Sequence, residues 1–391
     1  MFTVKTYNAI SEKGLSRFAA DQYEVGAELD QADAYMLRSH KLHGEALPAS
    51  VKAVGRAGAG TNNVPVEEYT KKGVVVFNAP GANANAVKEL VMTGMLLASR
   101  GILPGMDYVK TLAHMDDAEE MGKLCEKEKK NFAGSELMGK TLGIVGLGAI
   151  GSMVADMALS FGMKVIGFDP ALSVEAAWKL PSQVVRAENL LSLLANCDYV
   201  TIHVPAIAPT HHMINAESLQ SAKAGLVLLN FARESIVDSV AVAANLDAEG
   251  GLRQYICDFP HPSLMSRGDV AIMPHIGAST AEAEENCAIM VADQLMDYLE
   301  NGNIKNSVNF PQVSMARASG ATRITFSNDN VSGVLGDVLA ILSSNSVNVV
   351  DMVNKSRGDI AYSIIDVESI PAESVVNAIT AIEHVIDMRV L

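Results

Sequence analysis

Residues 141–170 constrain this chain more than any other stretch. The apolar run Leu142–Val145 suits a buried strand, and Gly146, Gly148 and Gly151 follow it with the spacing G-x-G-x-x-G. Apolar residues then recur at helical spacing over Ser152–Phe161 until Gly162 stops the run. Lys164–Phe168 is the next strand, and Asp169 stands at its end. A glycine spacing alone is weak evidence; a strand before it, a helix after it and an acid about 20 residues on make it specific.

Each piece has a physical task in holding a dinucleotide. Gly146 permits the tight turn out of the strand, Gly148 lets the backbone approach a pyrophosphate, and Gly151 lets the helix pack close to the sheet. The helix entrance at Ala149 and Ile150 offers unpaired amides and a positive dipole end to the diphosphate. Asp169 is placed to accept hydrogen bonds from ribose hydroxyls and to repel a 2′-phosphate, so NAD is expected rather than NADP. The competing explanation is a glycine-rich helix entrance with no ligand.

The length of 391 residues allows two or three domains, and with 49% apolar residues sizeable cores can be buried. A formal net charge of −15 argues against a nucleic-acid partner, whose phosphates call for lysine and arginine. It leaves room for a small anionic substrate held by a few local cations. Cys125, Cys197, Cys257 and Cys287 are scattered without a C-x-x-C pair. That points away from a disulfide framework or a zinc site and towards a reducing, cytoplasmic setting. The first residues lack the apolar core of a signal peptide, and no apolar run is long enough to span a bilayer.

Residues 1–100 carry strand-like runs at Ala34–Arg38, Val51–Val54 and Val74–Asn78 with helical segments between them, and a helix is expected over Ala86–Arg100. The glycine-rich stretch Gly55–Val64 follows a strand. It is either an anion-binding loop, with Arg56 adding a fixed positive charge, or a plain turn with a solvent-facing arginine. Glu126–Lys130 is dense in charge, as solvated helix faces are. Beyond Asp169, strands are expected around Asp198–Pro205, Gly225–Asn230, Tyr255–Asp258 and Val270–Met273. Ligands of doubly wound sheets bind outside the carboxyl ends of the strands. His203, Arg233, Asp258 and His275 all fall at such ends.

A long helix is expected over Thr280–Asn301, stopped by Gly302, and 303–320 reads as a linker. Residues 321–391 then give strands at Arg323–Phe326, Val347–Asn354, Ile360–Val367 and Val385–Val390, with helices at Gly333–Ser343 and Glu373–Ala381. That order, βαββαβ, is ferredoxin-like.

A dinucleotide, an arginine and a histidine at one crevice suggest hydride transfer at a carbon bearing oxygen. The histidine takes the hydroxyl proton and the arginine holds a carboxylate and polarises the carbonyl beside it. Taken singly, each has a plainer explanation, a structural histidine and a surface arginine. No H-E-x-x-H or carboxylate cluster supports a metal, and the phosphate loop G-x-x-x-x-G-K-[ST] is absent.

With these residues in view, the chain resembles the D-isomer-specific 2-hydroxyacid dehydrogenases over nearly its whole length. The anchors are Gly55–Gly58, Gly139–Gly148, Asn230–Arg233 and Pro274–Thr280. The resemblance implies two Rossmann-like doubly wound parallel-sheet domains, a discontinuous substrate-binding domain (1–100 and 281–310) and an NAD-binding domain (101–280). It also implies a C-terminal ferredoxin-like ACT domain at 321–391. The branch it resembles most oxidises 3-phospho-D-glycerate to 3-phosphooxypyruvate with NAD, the first step of serine biosynthesis. Another D-2-hydroxy acid, such as 2-hydroxyglutarate or glycerate, and a non-catalytic NAD sensor are the alternatives.

By the same resemblance Arg233 binds and polarises the substrate and His275 is the general acid/base. The Ala57 and Gly58 backbone holds the carboxylate, and Arg56 lies near the phosphate. Lys129 reaches that phosphate from a neighbouring subunit of a homodimer or homotetramer. His203, Pro205, Asp258 and Gly277 join the glycine-loop residues as cofactor contacts, with Asp258 on the nicotinamide carboxamide. Serine is the expected effector of the tail, held by Asn328, Asn330 and Asn348.

Two departures stand out. The family places a glutamate shortly after the Asp258 position to partner the catalytic histidine, yet residues 258–264 contain none. The serine-binding pattern His-x-Asn-x-Pro-Gly is here Asn328-Asp329-Asn330-Val331-Ser332-Gly333.

Overall fold

Short apolar runs closed by turn residues fold here as parallel strands, and helices carrying one apolar stripe cover their faces. In a computed structural model that describes residues 1–391, the side chain of Glu175 excepted, the chain divides into two units, Met1–Asn83 with Thr280–Leu391 and Ala84–Ser279. No helix among the described residues is long and apolar enough to cross a membrane.

The first unit opens with β1 (Phe2–Tyr7), β2 (Tyr23–Gly26), β3 (Ala34–Leu37), β4 (Ala53–Arg56) and β5 (Val75–Asn78), a parallel sheet in the order β2-β1-β3-β4-β5. β1 and β2 have no counterpart among the expected strands. β1 alternates apolar with Thr and Lys and fully buries only Val4, so its apolar signal is faint. The helix Ala281–Asn301 packs on this sheet so tightly that a Cβ on Gly55 would lie 2.3 Å from Val291. Thr280 caps its start by accepting the Ala283 amide at 3.1 Å, and Gly302 ends it at φ 69°.

The expected linker at 303–320 is instead pinned to this unit. Ile304 exchanges amide bonds with Val313, Ser307 bridges Phe77, and Phe310 is buried. Asn309, also buried, accepts the Val76 amide at 2.9 Å and donates to the Val74 carbonyl. Asparagine and serine here mark side-chain-to-backbone bonding rather than freedom.

The tail forms β13 (Thr322–Asp329), β14 (Val349–Arg357), β15 (Ile360–Val367) and β16 (Val385–Val390), an antiparallel sheet in the order β14-β15-β13-β16. Helices Val334–Ser344 and Glu373–Thr380 cover one face through Val338, Leu342, Val375 and Ile379. Tyr362 and Ile364, on β15, join the core that holds Phe77, Tyr298 and Phe310. The tail therefore belongs to the first unit rather than standing apart from it.

The second unit holds the seven-stranded parallel sheet of β6 (Thr141–Val145), β7 (Lys164–Phe168), β8 (Val185–Arg186), β9 (Tyr199–Ile202), β10 (Val227–Asn230), β11 (Gln254–Cys257) and β12 (Val270–Ile272). Its order is β12-β11-β10-β9-β6-β7-β8, so the winding reverses between β6 and β9. Separate apolar cores lie on its two faces. The helix Ala84–Ser99 belongs here, not with residues 1–83. Its Gly94 lies so close to the sheet that a Cβ would sit about 3 Å from Leu229 and Ile256.

Candidate active site

The carboxyl ends of β6 and β9, where the winding reverses, are where a doubly wound sheet binds its ligand. Gly146 leaves β6 at φ 92°, and a Cβ there would lie 2.6 Å from the His203 carbonyl. A Cβ on Gly151 would lie 2.0 Å from the Gly146 carbonyl, so the helix Ala149–Ser160 can seat against its own strand only with glycine at that position. Gly148 differs: nothing lies within 4 Å of the place its Cβ would take. It caps the helix without a side chain, and the first-turn amides of Ala149 and Ile150 follow it with no carbonyl one turn back.

Asp169 reaches across to this loop. One carboxylate oxygen accepts the Leu147 amide at 2.9 Å and the other the Ala171 amide at 2.9 Å, which leaves further lone pairs on each. The three features fit a dinucleotide: an open approach at Gly148, a helix dipole without a capping acid, and a carboxylate at the neighbouring strand end.

His203 continues the β9 ladder, its amide donating to Val145 at 2.7 Å, and its Nε2 pairs with the Thr201 hydroxyl at 3.0 Å. Its Nδ1 is buried without a partner among the described residues. Burial pushes the imidazole down to about 3, so it is neutral at physiological pH. Pro205 is exposed, and its carbonyl accepts the Thr210 hydroxyl at 2.6 Å.

Arg233 and His275 line one cleft of about 570 Å³ together with His212, Glu234, Asp238, Phe259 and His261. Arg233 follows β10 on a turn set by the fully buried Asn230, whose side chain accepts the Ala232 amide at 3.1 Å and donates to the Arg233 carbonyl at 2.9 Å. The guanidinium is exposed and donates to the Ala232 carbonyl at 2.6 Å. His275 adopts φ 57°, and its ring meets the Phe259 ring edge-on at 5.0 Å. Its amide donates to the Asp258 carbonyl at 3.0 Å.

Asp258 also holds the turn after His275. It is 1% exposed, and its carboxylate accepts the Ile276 and Gly277 amides at 2.9 and 2.7 Å. A buried carboxylate needs such donors, and these two tie down the turn after His275. Each carboxylate oxygen keeps a further lone pair, as at Asp169.

The remaining expected residues fare unevenly. The Ala57 amide donates to Leu37 at 2.7 Å and the Gly58 amide to Arg56 at 2.8 Å, so neither is open to a substrate carboxylate. The sheet ladder runs one residue past β4 and a tight turn follows. Arg56 folds over Gly58, where a Cβ would lie 1.6 Å from its guanidinium. Lys129 sits on an exposed 3-10 turn and pairs with Glu126.

In the tail, Asn328 is buried and donates to its neighbour's carbonyl at 2.6 Å, and Asn330 donates to Gly358 at 3.0 Å. Asn348 donates to Glu368 at 2.7 Å. Since Asp329 pairs with Ile360 while Val349 pairs with Val367, Asn348 lies at the opposite end of the sheet from Asn330. Within one chain the three asparagines do not converge.

Two residues that the sequence did not single out matter here. Asn230 was visible only as part of a pattern. His261 hides in a proline-flanked stretch with no periodicity. Among the described residues no group of three or more His, Cys, Asp or Glu side chains is placed to hold a metal.

Residues 102–277 match the NAD binding domain of the D-isomer specific 2-hydroxyacid dehydrogenases. The chain is 33% identical over 369 residues to the D-3-phosphoglycerate dehydrogenase of Haemophilus influenzae, covering 90% of this chain and 85% of that one. It is 32% identical over 339 residues to the enzyme of the same name from Methanocaldococcus jannaschii, covering 84% of this chain but only 61% of its relative's length. The fold is similar to that of the NAD-bound 3-phosphoglycerate dehydrogenase of Entamoeba histolytica, at 24% identity and a TM-score of 0.60 over 79% of this chain and 98% of that one.

Proposed function

The chain belongs to the D-isomer specific 2-hydroxyacid dehydrogenases, and from that premise we propose that it oxidises 3-phospho-D-glycerate to 3-phosphooxypyruvate, with NAD as the oxidant. The observation that carries this is the shared cleft of Arg233 and His275. The glycine loop and Asp169 would hold NAD, which would supply the hydride acceptor for the substrate carbon. Arg233 pairs with the substrate carboxylate and draws electron density towards the neighbouring oxygen. His275 takes the proton from the hydroxyl as that oxygen becomes a carbonyl, and returns it in the reverse direction. Asn230 and Asp258 hold the two turns that carry these groups.

The phosphorylated substrate is favoured by the relatives' names, and Arg56 is its candidate cation. Lys129, paired with Glu126, supports this less. That pairing leaves a second reading open, a non-phosphorylated dianion such as 2-hydroxyglutarate. Serine as effector is supported by the tail's βαββαβ order and by Asn328 and Asn330 at one end of its sheet, which give it an ACT-like character. Because Asn348 lies at the other end, a serine site of this kind needs two copies paired along exposed β14, consistent with a homodimer or homotetramer. Three buried, unbridged cysteines suit a reducing cytoplasm.

The test is NADH formation with 3-phospho-D-glycerate, D-glycerate and D-2-hydroxyglutarate, with and without millimolar serine. Preference for 3-phospho-D-glycerate supports the proposal. Preference for 2-hydroxyglutarate moves it to the second reading. No turnover of any 2-hydroxy acid leaves a non-catalytic NAD sensor.

A further inference from the structure

The cleft that holds Arg233 and His275 contains another imidazole whose tautomer is fixed by its neighbours. His261 precedes the 3-10 turn Pro262–Leu264, and its Nδ1 accepts the Ser263 amide at 3.3 Å. A backbone N–H can only donate, so Nδ1 carries no proton in the neutral ring and Nε2 carries it. The Ser263 hydroxyl, 2.8 Å from the same Nδ1, donates its one proton to it, and the Ser239 carbonyl at 3.2 Å is only the longer, alternative acceptor. The ring is thus anchored on one side and half-buried, and Nε2–H is the group left to the cleft it lines.

We infer that His261 orients the substrate: its Nε2–H donates a hydrogen bond to an oxygen of the bound 2-hydroxy or 2-oxo acid, beside the ion pair made by Arg233. The inference rests on the dehydrogenase reading above and adds a contact to it. The stretch 258–264 offers no carboxylate beyond Asp258, which is occupied by the Ile276 and Gly277 amides. His261 therefore brings a donor into the cleft where this stretch brings no further acid. A donor suits an anionic ligand; it does not suit accepting a proton from His275, because Nδ1 is already taken and Nε2 is already protonated. The two histidines have separate tasks, His275 at the reacting hydroxyl and His261 on an oxygen that stays put.

Two substitutions separate this role from mere capping. Asparagine is a good cap whose Oδ1 can accept the Ser263 amide, but it puts no donor where Nε2 was. Glutamine reaches the cleft with an amide donor but gives up the cap. The full-length parent, His261→Asn and His261→Gln are compared for reduction of 3-phosphooxypyruvate, 2-oxoglutarate and hydroxypyruvate at saturating NADH. NADH affinity and melting temperature are measured alongside.

The expected result is that His261→Asn keeps the parental melting temperature and NADH affinity. Its KM for the preferred 2-oxo acid rises about tenfold or more, the loss typical of one hydrogen bond to a charged group, with a smaller change in kcat. His261→Gln recovers part of that loss even if it melts earlier. A parent that reduces its 2-oxo acid while His261→Asn matches it in KM overturns the role of His261 and leaves the dehydrogenase reading standing. A parent that reduces none of the three overturns both. Should His261→Asn fail to fold, His261→Gln decides: a KM near the parent's supports the donor, and a KM raised tenfold overturns it.

Discussion

Asp258 holds His275 through the backbone, not through the imidazole. Its carbonyl accepts the His275 amide at 3.0 Å, and its carboxylate accepts the next two amides, of Ile276 and Gly277, at 2.9 and 2.7 Å. His275 is thereby kept at φ 57°, a left-handed conformation that side chains rarely adopt unaided.

Asp258→Asn tests that clamp. One amide then faces an NH2 group in a site with 1% exposure, and a buried donor left unpaired costs about 1–3 kcal/mol. The expected outcome is a lower melting temperature and a lower kcat, with NADH affinity less affected. An unchanged kcat would show that the turn does not depend on the carboxylate.

The glycines of the loop divide by cause. Gly146→Ala forces a left-handed alanine, at about 1–2 kcal/mol, and adds an overlap with the His203 carbonyl, so thermal stability falls. Gly148→Ala meets nothing in the protein, so its melting temperature holds while NADH affinity drops about tenfold, or about 1.4 kcal/mol. Calorimetry and NADH fluorescence distinguish the two. Loss of stability in Gly148→Ala would remove the argument for a ligand above it.

Arg323 and Asp366 form a fully buried pair at 2.7 Å, and Arg323 also donates to the Asn301 and Met315 carbonyls. Arg323→Met leaves Asp366 a buried charge, which costs about 3–5 kcal/mol; adding Asp366→Leu restores much of it. Chemical denaturation measures both. Burial by itself raises the Asp366 carboxyl, but the Arg323 hydrogen bonds and the Ala318 amide outweigh it, so the group stays below its ordinary value. Its contribution is present above about pH 4 and fades as pH falls through the lower folded value. The acid limb of stability should flatten in the double variant.

His203 is neutral in the fold where Asp366 is charged, yet its value is shifted in the same direction, downward. Its folded value of about 3 lies below that of a free imidazole, so the unfolded chain takes up a proton that the folded chain refuses. Stability from this group is full above about pH 6.5 and declines as pH falls towards 3. Imidazole NMR should show no His203 titration between pH 8 and 5. A midpoint near 6.5 would mean the ring is open to water.

The glycine loop, the strand ends at Arg233 and His275 and the βαββαβ tail were legible because each depends on local chemistry: a turn that only glycine allows, an apolar run, a cap. β1 escaped because it buries little beyond Val4. The segment 303–320 read as a linker because its asparagine and serine side chains bond to the backbone, which composition cannot reveal. Ala57, Gly58 and Asp258 were matched to family positions, but sequence does not show which amides and carboxylates the fold itself has already paired. His261 was missed because a single imidazole beside a proline carries no periodicity, and its meaning depends on who shares the cleft.

We propose that His275 moves the substrate proton in the cleft it shares with Arg233. The most direct measurement is the rate of NADH appearance with 3-phospho-D-glycerate for the parent and for His275→Gln, with NADH affinity determined on both. In His275→Gln kcat should fall about a hundredfold or more, the usual contribution of a general base, at unchanged NADH affinity. A variant that turns over like its parent would contradict the proposal.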